Sequence, residues 1–148
     1  MWAGALSTLL IGTDILRPDF AQSDTFAILS NKPLIDTLSQ DPLAVPIRRI
    51  RSPTIAPPGG VTNVENAQLW FKPLANGDAA AILFNRNDVA LSNWSFSFAD
   101  VGFGASQKTT VVDLWTHTHN GTHVGSFTAA EVAPHGVAAL RLKIGAGR

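Results

Sequence analysis

Hydrophobic and polar positions change their spacing part-way along this chain. Up to Pro46 the apolar residues fall in short runs or at helical intervals. Leu9-Leu10-Ile11 followed by Gly12 is a brief continuous run, the pattern of a strand buried on both faces, and Trp2 to Leu6 reads as the tail of a preceding helix. Two short helices follow. The first is predicted from Asp24, as N-cap, through Phe26, Ile28 and Leu29; the second has Asn31 as its cap, Pro33 in its first turn, and Leu34, Ile35 and Leu38 on one side. It ends before Asp41-Pro42. Helix, buried strand and helix pair make an α/β fragment.

Arg51-Ser52-Pro53 leads into Pro57-Pro58-Gly59-Gly60, which continues neither a helix nor a sheet ladder. The expected division is therefore residues 1–52, a linker at 53–60, and a second domain at 61–148. In that domain the period becomes two. Gln68 to Leu74 and Ala80 to Asn85 flank Asn76-Gly77, a hairpin signal read as a type I′ turn. Trp94-Ser95-Phe96-Ser97-Phe98 places its aromatics on one face, and Thr109 to Thr116, Val124 to Thr128 and Val137 to Ile144 supply further strands. In the last, Ala138, Leu140, Leu142 and Ile144 oppose Arg141 and Lys143. Strands with turns between them predict an antiparallel β-sandwich.

Charge narrows the function classes. Eleven Lys/Arg balance eleven Asp/Glu over 148 residues, and the two sides of Gly60 are each balanced. Neither half has the basic excess of a nucleic-acid or anionic-membrane binder. With 45% apolar residues a packed core is expected, and the absence of cysteine excludes disulfides, a zinc ribbon and a thiol nucleophile. The apolar opening is too short to cross a bilayer and lacks the basic flank of a signal peptide.

Several residues are candidates for chemistry. His117, His119 and His123 have spacing compatible with a metal site, or form a polar hairpin tip. Asp14 follows the buried strand, where barrel enzymes place active-site groups, or caps a local turn. Trp70, Trp94 and Trp115 offer indole faces for sugar stacking, or belong to a core. No pair of carboxylates suited to a retaining glycosidase is recognisable. Asn93-Trp94-Ser95 and Asn120-Gly121-Thr122 are glycosylation sequons that acquire meaning in a secreted protein, Asn120 at a hairpin tip being the better placed.

A family resemblance joins these fragments. Leu9-Leu10-Ile11-Gly12-Thr13-Asp14, Ala27-Ile28-Leu29-Ser30-Asn31-Lys32 and Gln40-Asp41-Pro42-Leu43 resemble the end of the catalytic barrel in melibiases, the α-galactosidases of glycoside hydrolase family twenty-seven. Leu69-Trp70-Phe71-Lys72-Pro73-Leu74, Ala81-Ile82-Leu83-Phe84-Asn85-Arg86, Val112-Asp113-Leu114-Trp115 and Pro134-His135-Gly136-Val137 resemble the C-terminal antiparallel domain of that family. The resemblance implies the last strand and helices of a (β/α)₈ barrel followed by a β-sandwich, with strand eight at Leu9 to Gly12. Thr8 stands where the family usually has Pro, and the His117 to His123 loop falls in a variable region. The family's nucleophilic and acid/base aspartates would precede Met1, so no catalytic, substrate-binding or metal residue carries over and no cofactor is implied. The implied partners are the missing N-terminal barrel and, through the parent enzyme, a galactose-containing oligosaccharide; the implied location is secreted or lysosomal/vacuolar. The alternative function is a non-catalytic carbohydrate-binding or structural sandwich.

Packing energy adds an expectation. Exposing Trp2, Leu6, Leu9, Leu10 and Ile11 would forfeit about 10 kcal/mol, comparable to a whole domain's stability. The sandwich is thus expected to fold alone, with residues 1 to about 45 docked imperfectly or exposed.

Overall fold

A computed structural model describes residues 3–6, 12–50 and 64–145. Among these residues, eight strands pair antiparallel into two sheets. β1 (Arg48–Ile50), β2 (Ala67–Pro73), β3 (Ala79–Asn85), β8 (Val137–Ile144), β5 (Lys108–Asp113) and β6 (His119–Val124) lie side by side in that order, while β4 (Leu91–Ser97) pairs with β7 (Ser126–Val132). Two short helices, α1 (Asp24–Leu29) and α2 (Lys32–Leu38), precede them. The second half is the expected antiparallel sandwich. Predicted strand eight of a barrel, at Leu9 to Gly12, lies outside the described residues except for Gly12, which is irregular. So does the predicted linker at 53–60.

The centre of the six-stranded sheet, at β2 and β3, is buried on both faces. Along β3, Ala79, Ala81 and Leu83 face the aromatic core shared with β4 and β7, while Ala80 and Ile82 face a second cluster containing Leu34, Leu38 and Ile47. That explains why Ala79-Ala80-Ala81-Ile82-Leu83 is apolar without alternation: a strand covered twice has no polar face. The order of layers is helix, six-stranded sheet, two-stranded sheet. Trp94, Phe96 and Phe98 enter the central core as their alternation predicts, with Phe96 edge-on to both Phe98 and Phe127 at centroid distances of 6.0 and 6.2 Å.

Local boundaries differ from the sequence pattern where side chains intervene. The cap of α1 is Ser23, whose side chain accepts from the Phe26 N–H; Asp24 is instead the first helical residue. Gly77 adopts φ +86°, but Asn76 does not have positive φ. The N–H of Gly77 donates to the Leu74 carbonyl and that of Leu74 to Asp78, so the loop is a type I turn closed by a glycine bulge, not a type I′ turn. The strand expected to reach Thr116 stops at Asp113 because its Oδ1 accepts from the N–H groups of Trp115 and Thr116, turning the chain. The run around Val124 to Thr128 is two strands: Gly125, at φ +79°, sends β6 to one sheet and β7 to the other.

Two polar clusters tie the strands across long sequence separations. Arg141 donates from Nε and a terminal nitrogen to Asp78 Oδ2 at 2.9 and 2.8 Å, while Asp78 Oδ1 accepts from the Ile144 N–H. Asn85, fully buried, donates to the carbonyls of Val89, Val132 and Ala133, and its oxygen accepts from the backbone and side-chain nitrogens of Asn87. Replacing it would take this donor from the Val89 and Val132 carbonyls, while Ala133 keeps the Gly136 N–H. Asn85→Ala is expected to cost about 2–4 kcal/mol in urea unfolding. A loss below about 0.5 kcal/mol would mean that the loop closes without it.

Candidate functional site

The most elaborately built polar region is the seam between α2 and the six-stranded sheet. Asn31 caps the helix by accepting from the Leu34 N–H at 3.1 Å, and the same oxygen meets His117 Nε2 at 3.3 Å. Its amide nitrogen donates to the Leu114 carbonyl at 2.9 Å. A helix N-terminus is thereby fastened to the turn that follows β5. At the other end, Lys72 Nζ donates to the Leu38 carbonyl at 2.9 Å. The lysine is 0% exposed. Burial lowers its pKa below 10.5, and the nearby Asp41 carboxylate opposes that shift. Asp41 accepts from the N–H groups of Leu43 and Ala75, which secures the chain leaving the helix.

Between these polar ends, Leu34, Leu38 and Ile47 pack on Ala80, Ile82, Leu114 and Ala139. Ile47 also donates its N–H to the Gly4 carbonyl at 2.8 Å, and a Cβ at Gly4 would lie 2.5 Å from Ile47 Cγ2. The segment of α2 and Ile47 is therefore firmly docked, in contrast to the expectation of imperfect docking up to about residue 45. The expectation holds for α1, which buries none of its residues; Phe26, Ile28 and Leu29 are exposed, as are Ile15 and Leu16.

The individual candidates separate clearly. Asp14 is exposed, and its Oδ1 accepts from the Leu16 N–H at 2.9 Å, the local turn cap of the alternative reading. Trp94 is 0% exposed, so neither face of its indole is open to a sugar: alternation placed it inward, in the core between the sheets. Trp70 is partly buried against the helix-side cluster, its Nε1 donating to Gln68. Trp115, 39% exposed, retains an open surface. Among the described residues no group of three His, Asp or Glu side chains could hold one metal ion. His117 turns toward Asn31, whereas His123 hydrogen-bonds the Asn120 carbonyl and packs edge-on to Phe127. Asn93 and Asn120 are both exposed, but Asn120 lies within β6 and not at a hairpin tip.

Two grooves adjoin the seam and the sandwich edge. One, of about 330 Å³, runs between α2 and the sheet with Asp36, His117, Arg141 and Lys143 on its walls. The other, of about 360 Å³, opens beside β6 and β7 over Phe127 and Leu140, with Asp113, Asn120, His123 and Glu131 at its sides. Asp113 borders both, but its Oδ1 is already engaged in the turn after β5.

Comparison with known proteins decides the family. A model described as the alpha galactosidase C-terminal beta sandwich domain matches residues 64–142. The chain belongs to this melibiase family. A probable alpha-galactosidase of Dictyostelium discoideum is 30% identical over 143 residues, covering 96% of this chain and 34% of that protein. An alpha-galactosidase of Oryza sativa is 31% identical, with 91% of this chain and 28% of that protein covered. Alpha-galactosidase I from Mortierella vinacea superposes with a TM-score of 0.77 at 27% identity, over 95% of this chain and 33% of that one. The chain thus spans about a third of the length of these melibiase relatives and matches their C-terminal part.

The seam residue most open to test is Lys72. The folded chain releases its proton at lower pH than the unfolded chain does, so holding the ammonium in place weakens the fold at neutral pH. That cost fades as pH rises from the lowered value toward 10.5. Urea unfolding of wild type and Lys72→Met across this range should show wild type gaining stability relative to the variant as pH increases. A difference independent of pH would refute the assignment.

Proposed function

We propose that this chain is the C-terminal part of a retaining α-galactosidase, bracing a catalytic barrel that precedes it in the parent enzyme. The observation that carries the reading is the match of almost the whole chain to the final third of α-galactosidases. The apolar side of residues 12–30 supports it. Leu16 at 87% exposure and Ile28 at 52%, with Ile15, Phe26 and Leu29, are exposed apolar side chains suited to burial against further strands and helices. In the division proposed from sequence, residues 1–52 end the barrel and 61–148 form the sandwich. Pairing of β1 with β2 carries the last residues of the first segment onto the sandwich sheet.

The parent's chemistry would be hydrolysis of terminal α-linked galactose through a covalent glycosyl-enzyme, using two aspartates supplied by the barrel. The sandwich would hold the last barrel elements through Asn31 and Lys72, and α1 would face the rest of the barrel. The exposed route of such an enzyme is secretion or delivery to a lysosome or vacuole. The alternative, a sandwich that binds sugar without catalysis, now rests on Trp115.

The purified chain is expected to leave a chromogenic α-galactoside at the buffer rate, because both reacting carboxylates lie outside it. Turnover well above buffer would overturn the proposed division of labour. Quenching of tryptophan fluorescence by galactose or raffinose, abolished by Trp115→Ala, would favour the binding alternative. For the apolar face, Ile28→Lys is expected to change the chain's own stability by no more than about 0.5 kcal/mol while reducing its binding of an apolar dye. A loss of several kcal/mol would show that this face is already packed.

A further inference from the structure

The chain contains two Asn-Gly steps, Asn76-Gly77 and Asn120-Gly121. At such a step the backbone can attack itself, because glycine has no side chain to keep its nitrogen from the carbonyl carbon of the asparagine side chain before it. Both asparagines are exposed, so solvent access does not distinguish them. Their fastenings do. Asn76 Oδ1 accepts from the Asp78 N–H at 3.1 Å and its Nδ2 donates to Asp78 Oδ2 at 3.0 Å, while the Gly77 N–H donates to the Leu74 carbonyl at 3.0 Å. The side-chain amide of Asn120 has no hydrogen bond among the described residues. Pairing is also irregular there. Thr110 stands opposite Thr122 and Val112 opposite His119, so Asn120 and Gly121 share the place opposite Val111, and Gly121 has φ +88°.

His123 is the second difference between the two steps. Its Nε2 lies 2.7 Å from the Asn120 carbonyl oxygen. A carbonyl can only accept, so Nε2 carries the proton and donates it. The ring lies over Gly121, with Nε2 3.4 Å from where a Cβ would stand, and Phe127 braces it edge-on at a centroid distance of 5.3 Å. That carbonyl and the Gly121 N–H belong to one amide. When the N–H is lost, negative charge develops on the oxygen, where the His123 donor stabilises it.

We propose that Asn120 is a self-modification site, at which the chain deamidates with the assistance of His123 while Asn76 is held unreactive. The Gly121 nitrogen gives its proton to solvent and bonds to Asn120 Cγ. The Cγ–Nδ2 bond breaks, ammonia leaves with a proton from water, and a five-membered succinimide remains. Water then opens the ring, giving aspartate where the bond from Cγ to nitrogen breaks and isoaspartate where the bond from the backbone carbonyl carbon breaks. Either product puts a carboxylate on β6, an end strand of the large sheet without Lys, Arg, Asp or Glu, beside the groove that already holds Asp113 and Glu131. The inference depends on neither reading of the chain's function.

The test is to age the full 148-residue chain in neutral buffer, folded and in urea, and to follow amide-to-acid conversion at each Asn-Gly step by peptide mass mapping. In urea the two steps should react at similar rates. Folding should slow Asn76 by about tenfold or more, the rate equivalent of the hydrogen bonds that must open, and leave Asn120 near its rate in urea or above it. Slowing of Asn120 to the level of Asn76 would overturn the assignment. His123→Phe keeps a ring against Phe127 but removes the donor. It should slow the folded Asn120 step roughly two- to tenfold, the equivalent of one net hydrogen bond, and leave the rate in urea unchanged. Thermal melting checks that the variant folds. An unchanged folded rate would overturn the role of His123, and the comparison of the two steps in wild type stands without the variant.

Discussion

The structure depends on a sheet that must be covered twice. β3 is apolar on both sides, so the large sheet needs one partner layer for Leu69, Leu83 and Leu140 and another for Ile82, Leu114 and Ala139. β4 and β7 provide the first. The second is α2, a helix of seven residues that is too short to persist alone in water and owes its order to what it covers. Dependence runs both ways: the helix needs the sheet for order, and the sheet needs the helix to keep Ile82 dry.

Covering apolar surface with a short helix creates a polar problem, since both helix ends then lie against a sheet. The two long-range bonds of the seam solve it. Asn31 serves the helix N-terminus and the turn after β5 with one side chain, and Lys72 brings a cation to the C-terminal carbonyls, where the helix dipole favours it. The lysine is desolvated in that position, which is why its pKa falls and why the contact is a compromise between hydrogen bonding and solvation. Orientation of α2 on the sheet follows from this pair of anchors more than from the nondirectional packing between them.

A sandwich covered in this way by a short helix explains the pattern of candidate residues. The features that resembled a site in sequence, Asp14, the histidines and Trp94, serve turns, edges and core in the fold. The melibiase relationship concerns a C-terminal β-sandwich domain, for which a mutually positioned set of reacting groups is not required. What the molecule offers is a docked helix, α2, preceded by exposed Leu16, Phe26 and Ile28.

Period-two patterning by itself located β2, β3, β4, β5 and β8 and the inward set Trp94, Phe96, Phe98, Leu140 and Leu142, because alternation reports which side of a strand meets oil or water. Cap chemistry determined the start of α2 at Asn31, since the need for a side-chain acceptor at a helix N-terminus is local. Other features were legible only in part. Asn76-Gly77 marked a hairpin but not its turn type, and the apolar stretch around Phe127 did not reveal the change of sheet at Gly125. Tertiary structure alone decided that Lys72 is buried, that Asn31 reaches Leu114 across 83 residues, and that His117 and His123 turn to different partners. The reason is physical: hydrophobic period and capping act over a few residues, whereas desolvation and hydrogen-bond partnership depend on which distant segments the fold brings against them.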